Sequence, residues 1–337
     1  MGYSERIIIY KKIEESRGKP LIVYATSIRN GASGNMNQDM IPHFIYHLEM
    51  ISKDVKEIDL LILSNGGDPI VSWRVISLLR NRFSKITVLV PYTAFSAATL
   101  LALGADDIIM HRNGNLGPLD MQITVPPKVA GMAPQQFSFE DIMNYFKFMN
   151  DIGLKDQAII ASALIELTKE ISPLTLGGAK RSSQLGLSMA EKMLSMHMKD
   201  LSKAKLISEK LNTQYYHHGY PVDRKEAKDI GLTITDNPEI EELMWEISQD
   251  ILSDFKVSKP FDPNTIANEK IQKRTNIQIG QIYTDTEVVK YGIIENKDLV
   301  SSFEANIVLT YQRQKDLSLQ INMQIANGCW ETKENKQ

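Results

Sequence analysis

The chain has 337 residues, of which 43% are hydrophobic and 23% are charged, and its net charge is −3. Such a composition is typical of a globular protein with apolar residues for one large core or two smaller ones. The interspersed charges form no basic stripe for nucleic acid, and no apolar run is long enough to span a bilayer. The single cysteine, Cys329, fits a reducing compartment, and the charged N-terminus does not resemble a signal peptide. We therefore expect a cytoplasmic protein.

Alternating strand and helix patterns predict an α/β fold with a parallel sheet. Strands of β-rich, apolar residues are predicted over residues 21–25, 58–64, 86–90 and 107–110. Helical periodicity predicts helices up to residue 17, over residues 39–51 and 70–82, from residue 96, from residue 138, and over residues 155–169, 188–211 and 239–255.

His43 and His47 lie four residues apart on one face of the predicted helix over residues 39–51. Two histidines at this spacing suit a metal site. The segment lacks the glutamate of a zinc-hydrolase helix, and no third ligand is evident. We therefore interpret the pair as part of a packed helix face and predict no metal.

Two turns at strand ends carry the residues of most chemical interest. The strand over residues 58–64 runs into the turn Asn65–Gly66–Gly67–Asp68, and the next strand is followed by Ser96 at the start of a helix. Open α/β sheets place their sites at the carboxyl ends of neighbouring parallel strands. We therefore expect the two turns to meet at one rim of the sheet.

Ser96 has two interpretations. The first N–H groups of a helix lack internal partners and carry the positive end of its dipole, so an oxyanion beside Ser96 would meet donors. Taken alone, however, the stretch favours a helix N-cap, the commonest use of serine at this position. The glycine pair is equally explained by a turn that needs positive φ.

The order and spacing of several motifs make a family resemblance specific. The segments IDLLILSNGGDP, TAFSAATLLALGADDIIM and NGNLGPLDMQ resemble the Clp-fold serine peptidases, which include the Clp proteolytic subunit and signal peptide peptidase A. ESRGKPLIVYAT, ISPLTLGGAKRS and HGYPVDRKEAKDIGL are more similar to the serine dehydrogenase proteinase (SDH) family. The resemblance implies an α/β fold of the Clp/crotonase type, with repeated β-β-α units, a mainly parallel sheet and a helical arm.

The resemblance also implies a function. Ser96 would be the nucleophile of a serine protease, and the N–H groups of Gly67 and Ala97 would form its oxyanion hole. A peptide or protein substrate would lie along the loop that contains Gly66 and Asp68. The chain would need no cofactor, metal or ATP of its own, and it would assemble as a homo-oligomer.

The general base is not settled by the sequence. The Clp subunit uses a histidine from the loop after the serine helix, but here that loop carries Asp120. His218 lies within one residue of the place where Clp subunits carry their triad aspartate. We predict a triad in which two loops exchange roles, with His218 as base and Asp120 orienting the imidazole. The alternative base is Lys180, with a pKa lowered by burial, as the lysine of signal peptide peptidase A suggests.

The composition changes after about residue 255. Two prolines indicate a linker over residues 256–264, and alternating runs over residues 302–311 and 317–325 predict a β-hairpin. We expect a peptidase domain over residues 1–255 and a small β-rich appendage over residues 256–337. This appendage could bind a protein partner, cover the active site or build an oligomer, and the sequence does not choose among these roles. The tail over residues 331–337 is predicted to be disordered.

Two other functions are compatible with the sequence. A catalytically inactive Clp-fold scaffold would recruit a partner through its C-terminal region. Acyl-CoA chemistry, as on the related crotonase fold, would need a basic pocket for the nucleotide, and the sequence shows no obvious one. Cleavage of peptide bonds through an acyl-enzyme on Ser96 is the main prediction.

Overall fold

The computed structural model describes residues 2–126, 134–215, 217–274, 278–316 and 318–335. The strands, numbered along the chain, are β1 (Leu21–Thr26), β2 (Ile28–Arg29), β3 (Ala32–Ser33), β4 (Glu57–Leu63), β5 (Lys85–Val90), β6 (Thr93–Ala94), β7 (Asp107–Met110), β8 (Asn115–Leu116), β9 (Gln122–Val125), β10 (Gln135–Ser138), β11 (Ile234–Thr235), β12 (Ile282–Glu295), β13 (Leu299–Arg313) and β14 (Leu319–Glu334). The helices are α1 (Tyr3–Arg17), α2 (Ile41–Glu49), α3 (Pro69–Arg80), α4 (Ala97–Leu103), α5 (Phe139–Asp151), α6 (Gln157–Glu170), α7 (Pro173–Leu194), α8 (Leu201–Thr213), α9 (Arg224–Asp229), α10 (Pro238–Asp254) and α11 (Pro263–Gln272).

A central sheet organises the molecule. Its strand order is β11-β7-β5-β4-β1-β12-β13-β14, in which the strands from β11 to β1 run parallel and those from β12 to β14 join antiparallel. All of β1 is buried, and β4 and β5 are buried after their first residues, as continuous apolar runs in a parallel sheet require. The structure confirms the predicted α/β class and the mainly parallel sheet.

Helices cover both faces of the parallel strands. On one face, Ile22 and Tyr24 of β1 pack in a core with residues of α2, α3, α4, α7 and α8. On the other face, Leu21 and Val23 pack in a second core with α1 and α10. The period-two alternation of a strand thus divides one short segment between two cores. Within the described ranges, no helix has the length and apolar character needed to cross a membrane.

The C-terminal strands continue the central sheet. Strand β12 pairs with β1, with Val23 opposite Glu295 and Thr26 opposite Gly292. The predicted hairpin is confirmed as β13 and β14, but both strands are longer than predicted, and β12 was not predicted. The domain boundary proposed at residue 255 therefore separates two segments of sequence that share one sheet.

Three local predictions need correction. The tail was predicted to be disordered, but Glu331 to Glu334 belong to β14, and residues 336–337 lie outside the described residues. The predicted linker over residues 256–264 runs directly into α11, whose N-cap is Asp262. The single helix predicted over residues 188–211 is broken between α7 and α8, because the Asp200 carboxylate caps α8 by accepting hydrogen bonds from the N–H groups of Ser202 and Lys203.

Candidate active site

The two turns at the ends of β4 and β5 meet at one rim, as expected. Ser64, just after β4, donates its N–H to the Thr93 carbonyl and accepts from the Phe95 N–H, both at 2.9 Å. Two residues further along each segment, the backbones lie very close, since a Cβ added at Gly66 would lie 2.9 Å from the Ala97 nitrogen. Only glycine allows this approach at φ +102°. The glycine turn and the serine turn are therefore held in direct contact.

Ser96 has a strained backbone. Its φ of 52° and ψ of −115° lie in a region that non-glycine residues rarely occupy. Ser96 is the N-cap of α4, yet its side chain makes no capping hydrogen bond. The capping interpretation is therefore not supported. Ser96 is thus a partly exposed serine on a sharp strand-to-helix turn, a setting in which nucleophilic serines occur.

Two backbone donors lie beside Ser96. Gly67 is exposed at φ +151°, and Ala97 is the first residue of α4. Among the residues that the structure describes, neither N–H group donates a hydrogen bond. Donors without an acceptor are what the predicted oxyanion hole requires.

His218 and Asp120 form a hydrogen-bonded pair at the same rim. Leu116 and Val222 exchange two backbone hydrogen bonds, at 3.0 and 2.9 Å, which join their segments in antiparallel register. Asp120 lies four residues after Leu116, and His218 lies four residues before Val222. Because the segments are antiparallel, this register brings the two side chains together. The His218 Nδ1 lies 2.5 Å from the Asp120 Oδ1. The two loops that the triad hypothesis requires are thus joined.

The Asp120 carboxylate tunes the imidazole. Its hydrogen bond raises the pKa of His218 above the ordinary value, and its negative charge adds to this effect, whereas burial opposes both. The Asp120 side chain is 10% exposed and that of His218 is 37% exposed. The imidazole of His218 is therefore the more accessible member of the pair. With Nδ1 bonded to Asp120, Nε2 is the nitrogen available to accept a proton.

Ser96, Gly67 and His218 line one cavity of about 520 Å³. Its size suits a short peptide segment. Within the described part of the chain, the Ser96 Oγ makes no hydrogen bond to His218 or to another group. Ser96 and His218 therefore share a cavity without a hydrogen bond between them.

Lys180 does not share this cavity. It lies on α7 and is exposed, so the burial that would activate its amine is missing. Ser182, two residues further along, lines the cavity instead. Four other histidines have different partners: His43 bonds Thr332, His47 bonds Ser301, His111 accepts from Asn113, and His197 bonds the Leu103 carbonyl. The first two join α2 to the C-terminal strands.

The predicted substrate edge at Gly66 and Asp68 is already paired. Met36 donates its N–H to the Gly66 carbonyl and accepts from the Asp68 N–H, both at 2.9 Å. The Asp68 side chain caps α3 by accepting from the Ile70 N–H. The Gly66 carbonyl and the Asp68 N–H are therefore engaged within the chain, although Gly67 and Asp68 still line the cavity. Peptide binding along this turn remains a prediction.

Sequence reasoning missed the ribbon formed by β9 and β10. Its residues Gln122, Thr124 and Gln136 line the cavity, because Thr124 lies opposite Gln136 and alternate residues share a face. Polar alternation over residues 122–124 was the available signal. Glu140 was missed as well; burial raises its pKa, and the charges of Asp120 and Asp141 raise it further.

Residues 43–173 match the family model of ClpP-like SDH-type serine proteinases. This match confirms the resemblance inferred from the motifs. The SDH-type segment contains Gly67, Ser96, Ala97 and Asp120, whereas His218 lies beyond it.

Sequence relatives and solved structures were also compared. Two uncharacterised proteins of Methanocaldococcus jannaschii are 27% identical over 180 residues and 28% identical over 185 residues, which is 53% and 54% of this chain. The alignments span about half of each relative, 52% and 54%. The membrane-bound stomatin-specific protease 1510-N, in a mutant form, is 14% identical with a TM-score of 0.40, over 67% of this chain and 83% of that one. ClpP1 from Listeria monocytogenes is 14% identical with a TM-score of 0.35, over 68% and 98%.

Proposed function

We propose that this chain is a serine peptidase that cleaves peptide bonds through an acyl-enzyme on Ser96. The observation that carries the proposal is the strained Ser96 turn, whose hydroxyl shares a cavity with the Gly67 N–H and with the His218–Asp120 pair. The match to SDH-type serine proteinases supports the same reaction class.

The proposed reaction begins with attack of the Ser96 Oγ on the scissile carbonyl carbon. The hydroxyl proton passes to His218 Nε2, and Asp120 stabilises the resulting imidazolium through Nδ1. The carbonyl oxygen becomes an oxyanion between the N–H groups of Gly67 and Ala97. His218 then protonates the leaving amine as the C–N bond breaks. Water, deprotonated by His218, hydrolyses the ester and returns Ser96 to its starting form.

The substrate is proposed to enter between Gly67 and the β9–β10 ribbon. Gly67 is exposed beside Ser96, while Gln122, Thr124 and Gln136 supply hydrogen-bonding side chains across the cavity. Amide and hydroxyl groups suit the peptide backbone, which offers N–H and C=O groups in turn. We therefore place the peptide along this polar ribbon.

Helix α6 supports a homo-oligomer. None of its described residues is buried, although Ile159, Ile160, Leu164 and Ile165 are apolar. Leu174, at the start of α7, is 88% exposed. A contiguous apolar surface of this kind is typical of a protein interface. We propose that α6 packs against another copy of this chain.

Labelling with a fluorophosphonate probe tests the nucleophile. The wild-type chain is expected to form a covalent adduct, and Ser96→Ala should abolish it. Ser182→Ala is the matched control, because Ser182 lines the same cavity but lies inside α7. A Ser96→Ala chain that labels as well as the wild type would contradict the proposed nucleophile.

Paired variants test the base. His218→Ala should slow labelling of Ser96 by about two to four orders of magnitude, since a serine hydroxyl needs a proton acceptor. Lys180→Ala should label at the wild-type rate, because Lys180 is exposed and lies outside the cavity lining. The opposite pattern would replace the triad with a serine–lysine dyad.

The second candidate function is an inactive scaffold that recruits a protein through its C-terminal region. The missing hydrogen bond between Ser96 and His218 in the described residues favours it. Absence of labelling in every assembly state, together with retained folding, would select the scaffold over the peptidase.

A further inference from the structure

A second cavity lies next to the proposed active site. Its volume is about 240 Å³, and Asn35 and Asn37 line both this cavity and the one that holds Ser96. Met36, between these two asparagines, is buried in the core, and its backbone forms hydrogen bonds with Gly66 and Asp68 of the glycine turn. The two cavities are therefore separated only by the segment over residues 35–37.

Aromatic rings from three adjacent strands form one wall of this second cavity, which we call the aromatic cavity. Gly292, Phe303 and Trp330 lie directly opposite one another on β12, β13 and β14. Tyr291 and Phe303 have ring centroids 5.9 Å apart, and Phe303 and Trp330 have theirs 5.8 Å apart. Gly292 leaves room for the indole, since a Cβ there would lie 3.1 Å from the Trp330 ring. The same indole also stacks on His43, with ring centroids 5.7 Å apart.

A carboxylate lines the same cavity as these rings. Asp39 is exposed and lines the aromatic cavity. In the described ranges of the chain, it has neither an ion pair nor a hydrogen bond through its side chain. The Asp39 charge acts on the imidazole of His43, which bonds the Thr332 hydroxyl and stacks on Trp330. Among the described residues, a cation bound in this cavity would therefore be the first ion-pair partner of Asp39.

We propose that the aromatic cavity is a specificity subsite that accepts an arginine or lysine side chain of the peptide cleaved at Ser96. The alkyl stem and cationic head of such a side chain match aromatic faces and a carboxylate together. That this peptide is cleaved rests on the proposed peptidase function, but binding of the cationic side chain does not need an active serine. It also assigns a role to the C-terminal strands, which lie outside the segment that matches the family.

Binding to the Ser96→Ala chain tests the subsite without relying on catalysis. A set of fluorescein-labelled ten-residue peptides carries a single arginine, moved one position at a time along an alanine and serine background. Matched sets carry norleucine or glutamate instead of arginine. At one register, we expect the arginine peptide to bind about tenfold more tightly than its norleucine counterpart, the combined effect of one cation–π contact and one partly exposed ion pair. Fluorescence anisotropy measures the affinity.

Two variants locate the effect. Asp39→Asn should reduce the preference for arginine to within about twofold, and Trp330→Leu should weaken arginine binding roughly threefold to fivefold. Asp54→Asn is the control, because Asp54 is an exposed carboxylate outside both cavity linings. Thermal unfolding of each variant confirms that it is folded.

The outcomes separate the subsite from the peptidase. Equal binding of arginine and norleucine peptides, equal effects of Asp39→Asn and Asp54→Asn, or no binding of any peptide would overturn the subsite. If the wild-type chain is not labelled by the fluorophosphonate, the proposed peptidase function is overturned. Selective binding of arginine peptides in that case would show that the subsite serves a peptide-binding scaffold.

Discussion

The Asp120 carboxylate controls the pH at which His218 can act as a base. Because Asp120 raises the pKa of His218, the imidazole stays protonated to a higher pH, and acylation of Ser96 should increase as the pH rises through that pKa. Asp120→Asn should move this inflection to lower pH. It should also lower the maximal rate by about two to four orders of magnitude, since the imidazolium loses its stabilising charge. Fluorophosphonate labelling rates from about pH 5 to about pH 9 measure both effects.

Glu140→Gln is the control for charge alone. Glu140 lies close enough to Asp120 for the two charges to interact, but it does not bond His218. Its substitution should leave the inflection nearly unchanged. An inflection that stays in place in Asp120→Asn would show that another group titrates.

At the residue scale, local signals predicted the two strand-end turns that hold Gly67 and Ser96, whereas the roles proposed for Ser96, Gly67 and Ala97 came from the family resemblance. The pairing of His218 with Asp120 followed from family resemblance and is now explained by the Leu116–Val222 register. Met36 could not be foreseen beside the glycine turn. That contact joins segments distant in sequence, and neither segment carries a pattern that specifies the other.

The exposed apolar face of α6 makes a prediction at the scale of one element. If α6 packs against a second copy, Leu164→Lys should shift the protein toward smaller species, because a buried unpaired charge is costly at an interface. The fold of each chain should remain, since Leu164 is 44% exposed in the single chain. Sedimentation velocity measures the change. Leu206→Lys on α8, at a residue 49% exposed, is the matched control. A wild-type chain that is monomeric at all concentrations would contradict the interface.

Other elements show where sequence patterns fall short. Helix α5 was predicted from its first turn, and Ser138 and Asp141 do form a reciprocal cap there. The break between α7 and α8 was missed because residues 195–199 carry no proline or glycine. Asp200 was the available signal, as the N-cap of a new helix. Met196 and Met198 pack against the main core, so tertiary contacts hold the break in place.

At the scale of the whole molecule, the C-terminal strands are predicted to be necessary for folding. Strand β12 covers the edge of β1, every residue of which is buried. A chain ending at residue 255 would expose that edge and leave unpaired backbone groups able to join other chains. We expect this fragment to aggregate or to lack a cooperative unfolding transition. A soluble fragment with cooperative thermal unfolding would instead establish residues 1–255 as an independent domain.

A buried ion-pair network around Arg6 joins the N-terminal helix α1 to helix α10 and strand β12. The Arg6 guanidinium lies on α1 and pairs with Glu295 of β12 and with Asp250 of α10, each at 2.5 Å, and all three side chains are buried. Tyr10 also donates its hydroxyl to Glu295. Arg6→Met would leave two buried carboxylates without their shared cation, so we expect a loss of about 3–5 kcal/mol in the free energy of unfolding. Urea denaturation followed by circular dichroism measures the loss.

The triple variant Arg6→Met, Asp250→Asn, Glu295→Gln removes the same cation together with both negative charges. It should recover a large part of the lost stability, because neutral amides cost less to bury than carboxylates that have lost this cation. Lys297→Met is the comparison for a surface ion pair, since Lys297 bonds Glu14 from a side chain 41% exposed, and it should cost less than about 1 kcal/mol. Equal losses for Arg6→Met and Lys297→Met would mean that the buried network does not hold the N-terminal helix to the C-terminal strands.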